Sequence, residues 1–450
     1  MADINQGSAS DTVLGPTLDD LLRLPEFEYH KLPTPTSIRL LEILPSRPGV
    51  IRCAMHGLGL EDEAEDDEDE PLSYIALSYT WGNPTTVYEE PAPSIEGFKM
   101  PEDYKKLPWV FSSRGPERST FFNVDYAKKD YIENHPWIPH ERVDSQNTSL
   151  KPIEINGRLT HVQENLHRFL NELRHMKHVS NLGETDPAEG ENNASFGYLN
   201  WAVSAPIWID SICINQNDLA ERASQVQLMG RIYRNAHSLF AWLGPKDSFT
   251  YDAVQSIDTL SELDPEFEGS LSLSSIPDMD LVSWFSLFAF FQRLWFRRAW
   301  ITQEAIFGRR LTVFCEAGII PWRILESAVN TLERTGLGLQ MAKLGRNLLT
   351  SQPLSENIRQ MRNLSRLLDD DDDSPKLEPA PEPEIEPGDA LTFIRAVQHH
   401  RLRLRAFNSK DNDEQNKTVG QPSLLSVLSL FRNTSASDPR DKVFAFLNLA

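Results

Sequence analysis

Between Trp208 and Val226 the chain reads WIDSICINQNDLAERASQV, with five polar side chains where an apolar strand gives way to a helix: Asp210, Asn215, Gln216, Asp218 and Glu221. A second apolar strand, SYIALSYTWG (73–82), closes with Tyr79 and Trp81. Open α/β sheets bind ligands beyond the carboxyl ends of their strands. Parallel strands would therefore bring Asp210, Glu221, Tyr79 and Trp81 to one rim. Carboxylates placed there can stabilise positive charge, the rings can stack, and the amides of Asn215 and Gln216 can read a ligand. No nucleophile–base pair and no phosphate-cradling glycine loop accompanies them.

The same residues have a purely architectural reading. Asp218 and Glu221 have the spacing of a capping box, and an acid in the first helical turn gains about 0.3–1 kcal/mol from the helix dipole. Asp210 can brace its loop by accepting backbone N–H groups, Asn215 and Gln216 can tie that loop down, and Trp81 and Trp208 can serve as packing residues. Both readings stand at this point. Cys213 precedes a helix start without a histidine nearby in sequence and reads as a buried, inert thiol. Glu172 and His175 form a single ExxH, half of a di-iron pattern, and no metal is expected. Arg293, Arg297 and Arg298, beside Trp295 and Trp300, suit either phosphate binding or salt-bridged packing against Glu304, with packing the better fit.

The elements that must position these residues follow from periodicity. SIRLLEIL is the one strand expected in the first 70 residues. In SYIALSYTWG, Ile75, Leu77 and Tyr79 alternate with Tyr74, Ala76 and Ser78. KPIEINGRLTHV predicts a hairpin turning at Asn156–Gly157. A helix follows with Leu166, Phe169, Leu170, Leu173 and Met176 at helical spacing, then a short buried strand, PIWID. Val226, Met229, Ile232, Tyr233 and Ala236 form the inward stripe of the next helix, and SLFAWLG is a strand stopped by Gly244 and Pro245. Strands separated by helices predict a parallel α/β sheet flanked by helices. Beyond residue 250 the pattern is mostly helical, with a strand at LTVFCE. LVSWFSLFAFF spans half a membrane at most and reads as a buried helix.

The 450 residues carry a formal charge of −22, but 14 of the excess acids lie in two runs, Glu61–Glu70 and Asp369–Asp373. Such runs are solvated, disordered insertions. No basic stripe offsets them, which excludes nucleic acid as the main ligand. Three widely spaced cysteines fit a reducing compartment. The polar, acidic N-terminus resembles no signal peptide, and a cytoplasmic location is expected.

YIALSYTWG, IEINGRLTHVQENLHRFLNELR, IWIDSICINQNDLAERASQVQLMGRIYRNAHSLFAWLG and LWFRRAWITQEAIFG, in this order, resemble the fungal heterokaryon-incompatibility (HET) domain family. The late SDPRDKVFAFLNLA is similar to an Asp-Pro-Arg-Asp segment that often follows such domains. The resemblance implies non-self recognition and cell-death signalling through protein partners, by self-association or with an incompatibility partner; no membrane span is expected from the hydropathy above. It also implies a TIR-like (flavodoxin-like) sheet. The distant TIR similarity in turn implies an alternative: an enzyme that cleaves NAD as substrate, with Glu221, then Asp210, as the carboxylate beside a cationic ribose, Tyr79, Trp81, Asn215 and Gln216 as substrate-binding residues, and no bound cofactor. The expected organisation is an N-terminal segment with its acidic run (1–72), the HET domain (73–305, with insertions at about 85–150 and 181–200), a helical extension (306–368), an acidic Pro-rich linker (369–389) and a helical C-terminal segment (390–450). Because the sequence stops inside an apolar run, the protein is expected to continue beyond it.

Overall fold

The structure is a computed structural model. It describes residues 17–60, 72–84, 150–182, 204–350, 389–408, 423–436 and 440–449, apart from positions 48, 83, 247–248, 264–266, 268, 278, 317 and 448. Both acidic runs, the insertion expected at 85–150 except its last residue, most of that at 181–200, and the Pro-rich linker up to residue 388 lie outside the described residues. The chain divides into two compact units, residues 1–82 with 147–240 and residues 83–146 with 241–450.

The first unit contains β1 (Ser37–Leu44), β2 (Arg52–Gly59), β3 (Leu72–Tyr79), β4 (Leu150–Ile155), β5 (Arg158–Gln163), β6 (Ile207–Trp208) and the start of β7 (Ala236–Trp242). Their spatial order is β5-β4-β2-β1-β6-β3-β7. Its described helices include α1 (Leu18–Leu21), α2 (Glu164–Leu182), α3 (Asp210–Cys213) and α4 (Leu219–Asn235). The α/β class holds, but the sheet is mixed rather than parallel. β3 with β6 and β2 with β4 run parallel, whereas β1 with β2, β1 with β6 and β4 with β5 are antiparallel. The cause is β2. RCAMHGLG has two glycines and no apolar alternation, yet it folds back along the whole of β1, from Ser37↔Gly59 to Leu44↔Arg52. Among the described residues of the first 70 there are thus two strands where one was expected.

Elsewhere in this unit local pattern and fold agree. β3 is buried on both faces, Tyr74 through Tyr79, as a central covered strand must be. Tyr74 donates to the Ile232 carbonyl at 2.5 Å and fastens α4 over it. Asn156 and Gly157 turn the β4–β5 hairpin with φ of 53° and 74°, the left-handed values a primed two-residue turn needs. Leu166, Phe169, Leu170, Leu173 and Met176 line the buried face of α2, and Met229, Ile232 and Tyr233 that of α4.

In the second unit β7 runs on to Trp242, and Leu243 N–H donates to Phe314 of β8 (Leu311–Cys315) at 2.9 Å. β9 (Gly318–Pro321) pairs antiparallel with β8, in a hairpin too short to show alternation in sequence. The helices are α5 (Thr250–Ser261), α6 (Leu281–Phe291), α7 (Ile301–Phe307), α8 (Trp322–Arg334), α9 (Leu337–Thr350), α10 (Asp389–Asn408), α11 (Leu424–Leu430) and α12 (Asp441–Leu447). α6, from the most apolar run, is buried through Trp284, Phe285 and Leu287. No described helix is long and apolar enough to cross a membrane. Arg293 is buried and donates to the Leu243 and Pro245 carbonyls at 2.9 and 3.0 Å and to Thr250 Oγ1 at 2.7 Å. Its guanidinium braces the exit of β7 instead of reaching out to a phosphate. Between those carbonyls Gly244 has φ of 99°, and a Cβ there would stand 2.3 Å from Pro84.

His400 of α10 is 2% exposed beside the Phe431 ring, and its Nε2 has no hydrogen-bond partner among the described residues. Burial pulls its pKa down from 6.5 to about 4, against a hydrogen bond to the Leu449 carbonyl that acts to raise it. The unfolded chain therefore binds a proton that the folded chain refuses between those values. The stability contributed by neutral His400 is complete above about pH 6.5 and drains away as pH falls toward 4. Melting temperatures of the full chain should fall more steeply between neutral pH and pH 5 in wild type than in His400→Leu. Parallel slopes would contradict this.

Candidate functional site

The rim anticipated from sequence is assembled by hydrogen bonds between the exit of β3 and the start of α3. Tyr79 OH lies 2.7 Å from Ser211 Oγ. The Trp81 indole N–H donates to both Asp210 oxygens, at 3.0 and 3.2 Å. Asp210 also accepts the Ser211 N–H at 2.7 Å, and Gln216 Nε2 donates to the Asp210 carbonyl at 2.8 Å. The parallel β3–β6 register makes this possible, because Ile75↔Ile207 and Ala76↔Trp208 send both chains out at the same end of the sheet. Two contacts hold the β3 exit from the other side: Asn165 Nδ2 donates to the Thr80 carbonyl at 2.7 Å, and Gly82 N–H to Gln163 Oε1 at 2.6 Å.

An open cleft of about 190 Å³ results, lined in part by Tyr29, Tyr79, Trp81, His161, Gln163 and Gln216. Tyr79, Trp81 and Gln216 thus face one opening. Asp210, Asn215 and Glu221 are not in the lining, and Asp210 is joined to it through the Trp81 indole. Asn215 is used within its loop: its side-chain oxygen accepts the Asn217 N–H at 3.2 Å, and its own N–H donates to Glu221 at 2.8 Å.

Glu221 sits in the α4 first turn, where Asp218 is the cap and accepts Ala220 and Glu221 N–H groups at 3.0 and 3.1 Å. Glu221 does not complete a capping box. Both its oxygens turn to Arg39 of β1, in a bidentate pair at 2.5 and 2.9 Å with side-chain exposures of 7% for Arg39 and 11% for Glu221. Arg39 also donates to the Cys213 carbonyl at 3.0 Å and the His30 carbonyl at 2.6 Å, and lies over the Tyr29 ring. Tyr29 OH donates to the Ile212 carbonyl at 2.9 Å, and burial pushes its pKa up to about 12. Burial likewise pushes the Cys213 thiol up to about 12, despite the Ile209 N–H it accepts, so it is no thiolate nucleophile. Trp208 is fully buried edge-on against Tyr233 and serves packing. Among the described residues no group of three or more His, Cys, Asp or Glu could hold a metal ion.

Sequence reading missed Arg39, Ser211, His161, Gln163 and Tyr29. Arg39 did leave a signal, a guanidinium in the middle of the apolar strand SIRLLEIL, which a buried strand tolerates only with a partner. The others carry none, since their roles depend on strand pairing.

Residues 196–304 match the sequence model of the family described as heterokaryon incompatibility protein (HET). Heterokaryon incompatibility protein 6, OR allele, of Neurospora crassa is 34% identical over 128 residues, which is 22% of this chain and 18% of that protein. The match therefore spans less than a fifth of that relative's length. No solved structure matches the chain.

The Arg39–Glu221 pair carries a prediction of its own. Glu221→Gln leaves a buried guanidinium without its counter-charge and should cost about 3–5 kcal/mol, read as a lower urea midpoint. Burial acts to raise the Glu221 pKa, but the Arg39 hydrogen bonds, the Asn215 N–H and the Arg39 charge together hold it below the ordinary 4.5. The pair's contribution is thus intact above about pH 4.5 and lost as pH falls from there through the lower folded value. The gap between wild type and variant should narrow over that range, and a gap independent of pH would refute the assignment.

Proposed function

We propose that this chain, whose residues 196–304 match the heterokaryon-incompatibility (HET) family model, acts in fungal non-self recognition, arresting or killing fused cells through an α/β unit that binds protein. The observation behind the interaction reading is where the acids go. Glu221 gives both oxygens to Arg39, and Asp210 accepts the Trp81 indole and the Ser211 N–H. In this reading they are architecture, and the surface they hold in place, with Trp81 42% exposed at its edge, makes the contact. A cleft of about 190 Å³ suits one inserted side chain and falls below the ~300–1,000 Å³ typical of small-molecule pockets. The partner is a second copy or an incompatibility protein. We read the sheet as distantly TIR-like, supported by the parallel β3–β6 step with α4 leaving its carboxyl end, the β1–β2 hairpin being an addition. A cytoplasmic site of action fits the three free, buried cysteines.

Inducible expression in a filamentous fungus tests this. Wild type should arrest growth and raise the fraction of cells taking up a vital dye, with NAD per viable cell unchanged before death begins. Trp81→Ala should lower the dye-positive fraction at least tenfold with its melting temperature unmoved. Undiminished killing by a folded Trp81→Ala protein would remove the cleft from the mechanism, and an early collapse of NAD would replace binding by catalysis.

A further inference from the structure

β5 is the outermost strand of the first unit's sheet, and the direction of its backbone groups can be read from two sides. Leu159 N–H donates to the Pro25 carbonyl at 2.8 Å, and its carbonyl accepts the Phe27 N–H at 2.7 Å, so residue 159 points away from β4. On the other flank of β4, Glu154 N–H donates to the Ile51 carbonyl at 2.9 Å, so residue 154, opposite Leu159, points away from β5. Pairs alternate along an antiparallel ladder. Hence Pro152↔His161 and Leu150↔Gln163 share the phase of Glu154↔Leu159. Pro152, which has no N–H, sits where β5 requires none. The backbone N–H and C=O of His161 and the N–H of Gln163 therefore face outward.

The protein itself shows what this edge accepts. Residues 25–27 add to β5 as a parallel extended segment, bridging Glu26 to Leu159. The next rung would join His161 N–H to the Phe27 carbonyl, and it is not made. The segment instead leaves the edge, carrying Tyr29 to Ile212 and under Arg39. Beside the vacated rungs lies the cleft, with two large apolar side chains exposed in its lining, Leu150 at 59% and Trp81 at 42%. Gln163 uses only its amide oxygen internally and Gln216 only its amide nitrogen, which leaves a donor and an acceptor in the same lining.

We propose that an extended segment of a partner protein, apolar at alternate positions, adds as a strand to β5 at His161 and Gln163 and seats one apolar side chain between Leu150 and Trp81. Main-chain hydrogen bonds supply affinity and the cleft supplies selectivity. This continues the lane that residues 25–27 already occupy, and it rests on the reading of this unit as a protein-interaction module.

The test pans a phage-displayed library of random linear peptides on the full chain and measures fluorescein-labelled copies of the selected peptides by anisotropy. Recovered peptides should share apolar residues at every second position. His161→Pro removes an outward N–H that β4 does not use, as edge strands tolerate, and should weaken binding more than tenfold with an unchanged melting temperature. Should that variant not fold, backbone N-methylation of the peptides against wild type asks the same question: methyl groups on one alternate set of amides should abolish binding and on the other spare it. Failure to recover any peptide, or binding indifferent to both changes, would overturn strand addition. Binding lost in Trp81→Ala but kept in His161→Pro would overturn it too, while leaving the interaction reading intact.

Discussion

A buried guanidinium without a counter-charge is among the most expensive things a small α/β unit can contain. Arg39 stands on β1 with 6% exposure and must be answered from other segments. It is answered by Glu221 from α4 and by the carbonyls of His30 and Cys213. These demands locate the first turn of α4 over β1 and draw in the loop between α3 and α4. Arg suits the task because its rigid fork presents two parallel donors to the carboxylate and further donors to the carbonyls, which a Lys cannot do. The cleft is downstream of this one interaction. With Asn215 tied to Glu221, the loop is short enough that Gln216 must turn back onto the Asp210 carbonyl, and Asp210 then faces the Trp81 indole.

The second unit meets a similar demand with backbone carbonyls. Arg293 lies on two carbonyls at the end of β7 and on Thr250 Oγ1. Gly244 sits between those carbonyls in a conformation and a space that a side chain cannot share. In both units a strand exit is organised by a guanidinium gathering carbonyls that regular secondary structure would leave unsatisfied. The packing reading favoured for the arginines around LWFRR agrees with the burial of Arg293.

How much was legible in the sequence divides along the range of the interaction. β3, the Asn156–Gly157 hairpin, α2, α4 and β7 declare themselves through neighbours a few residues apart, and the structure has them where periodicity and turn chemistry put them. β2 and β9 do not, because RCAMHGLG and GIIP owe their strand state to the partner they pair with. The mixed sheet follows only in part from the same blind spot: the β4–β5 hairpin was readable from Asn156–Gly157, whereas the fold-back of β2 along β1 was not. At the site, the meeting of Trp81 with Asp210 was legible because parallel strands deliver their ends to the same side. The position of Glu221 was not. Asp218–Glu221 spacing satisfies a capping box on paper, and only Arg39, 182 residues earlier, turns the carboxylate away from the helix end.

Edge strands invite indiscriminate pairing, and proteins blunt them with charge, proline or a covering segment. β5 shows two of these devices. Residues 25–27 cover Leu159, and Arg158 closes over that segment by donating to the Glu26 carbonyl at 3.1 Å. What stays open among the described residues is only the stretch from His161 to Gln163. That is too short to template a second sheet and too polar on its exposed face to attract apolar surface unaided. Its one apolar neighbourhood is the cleft, whose depth is set by Trp81 and hence by the hydrogen bonds to Asp210. An edge left open only there gains pairing energy only from a segment that also fills the cleft, so the geometry that blocks aggregation is the same geometry that would confer selectivity.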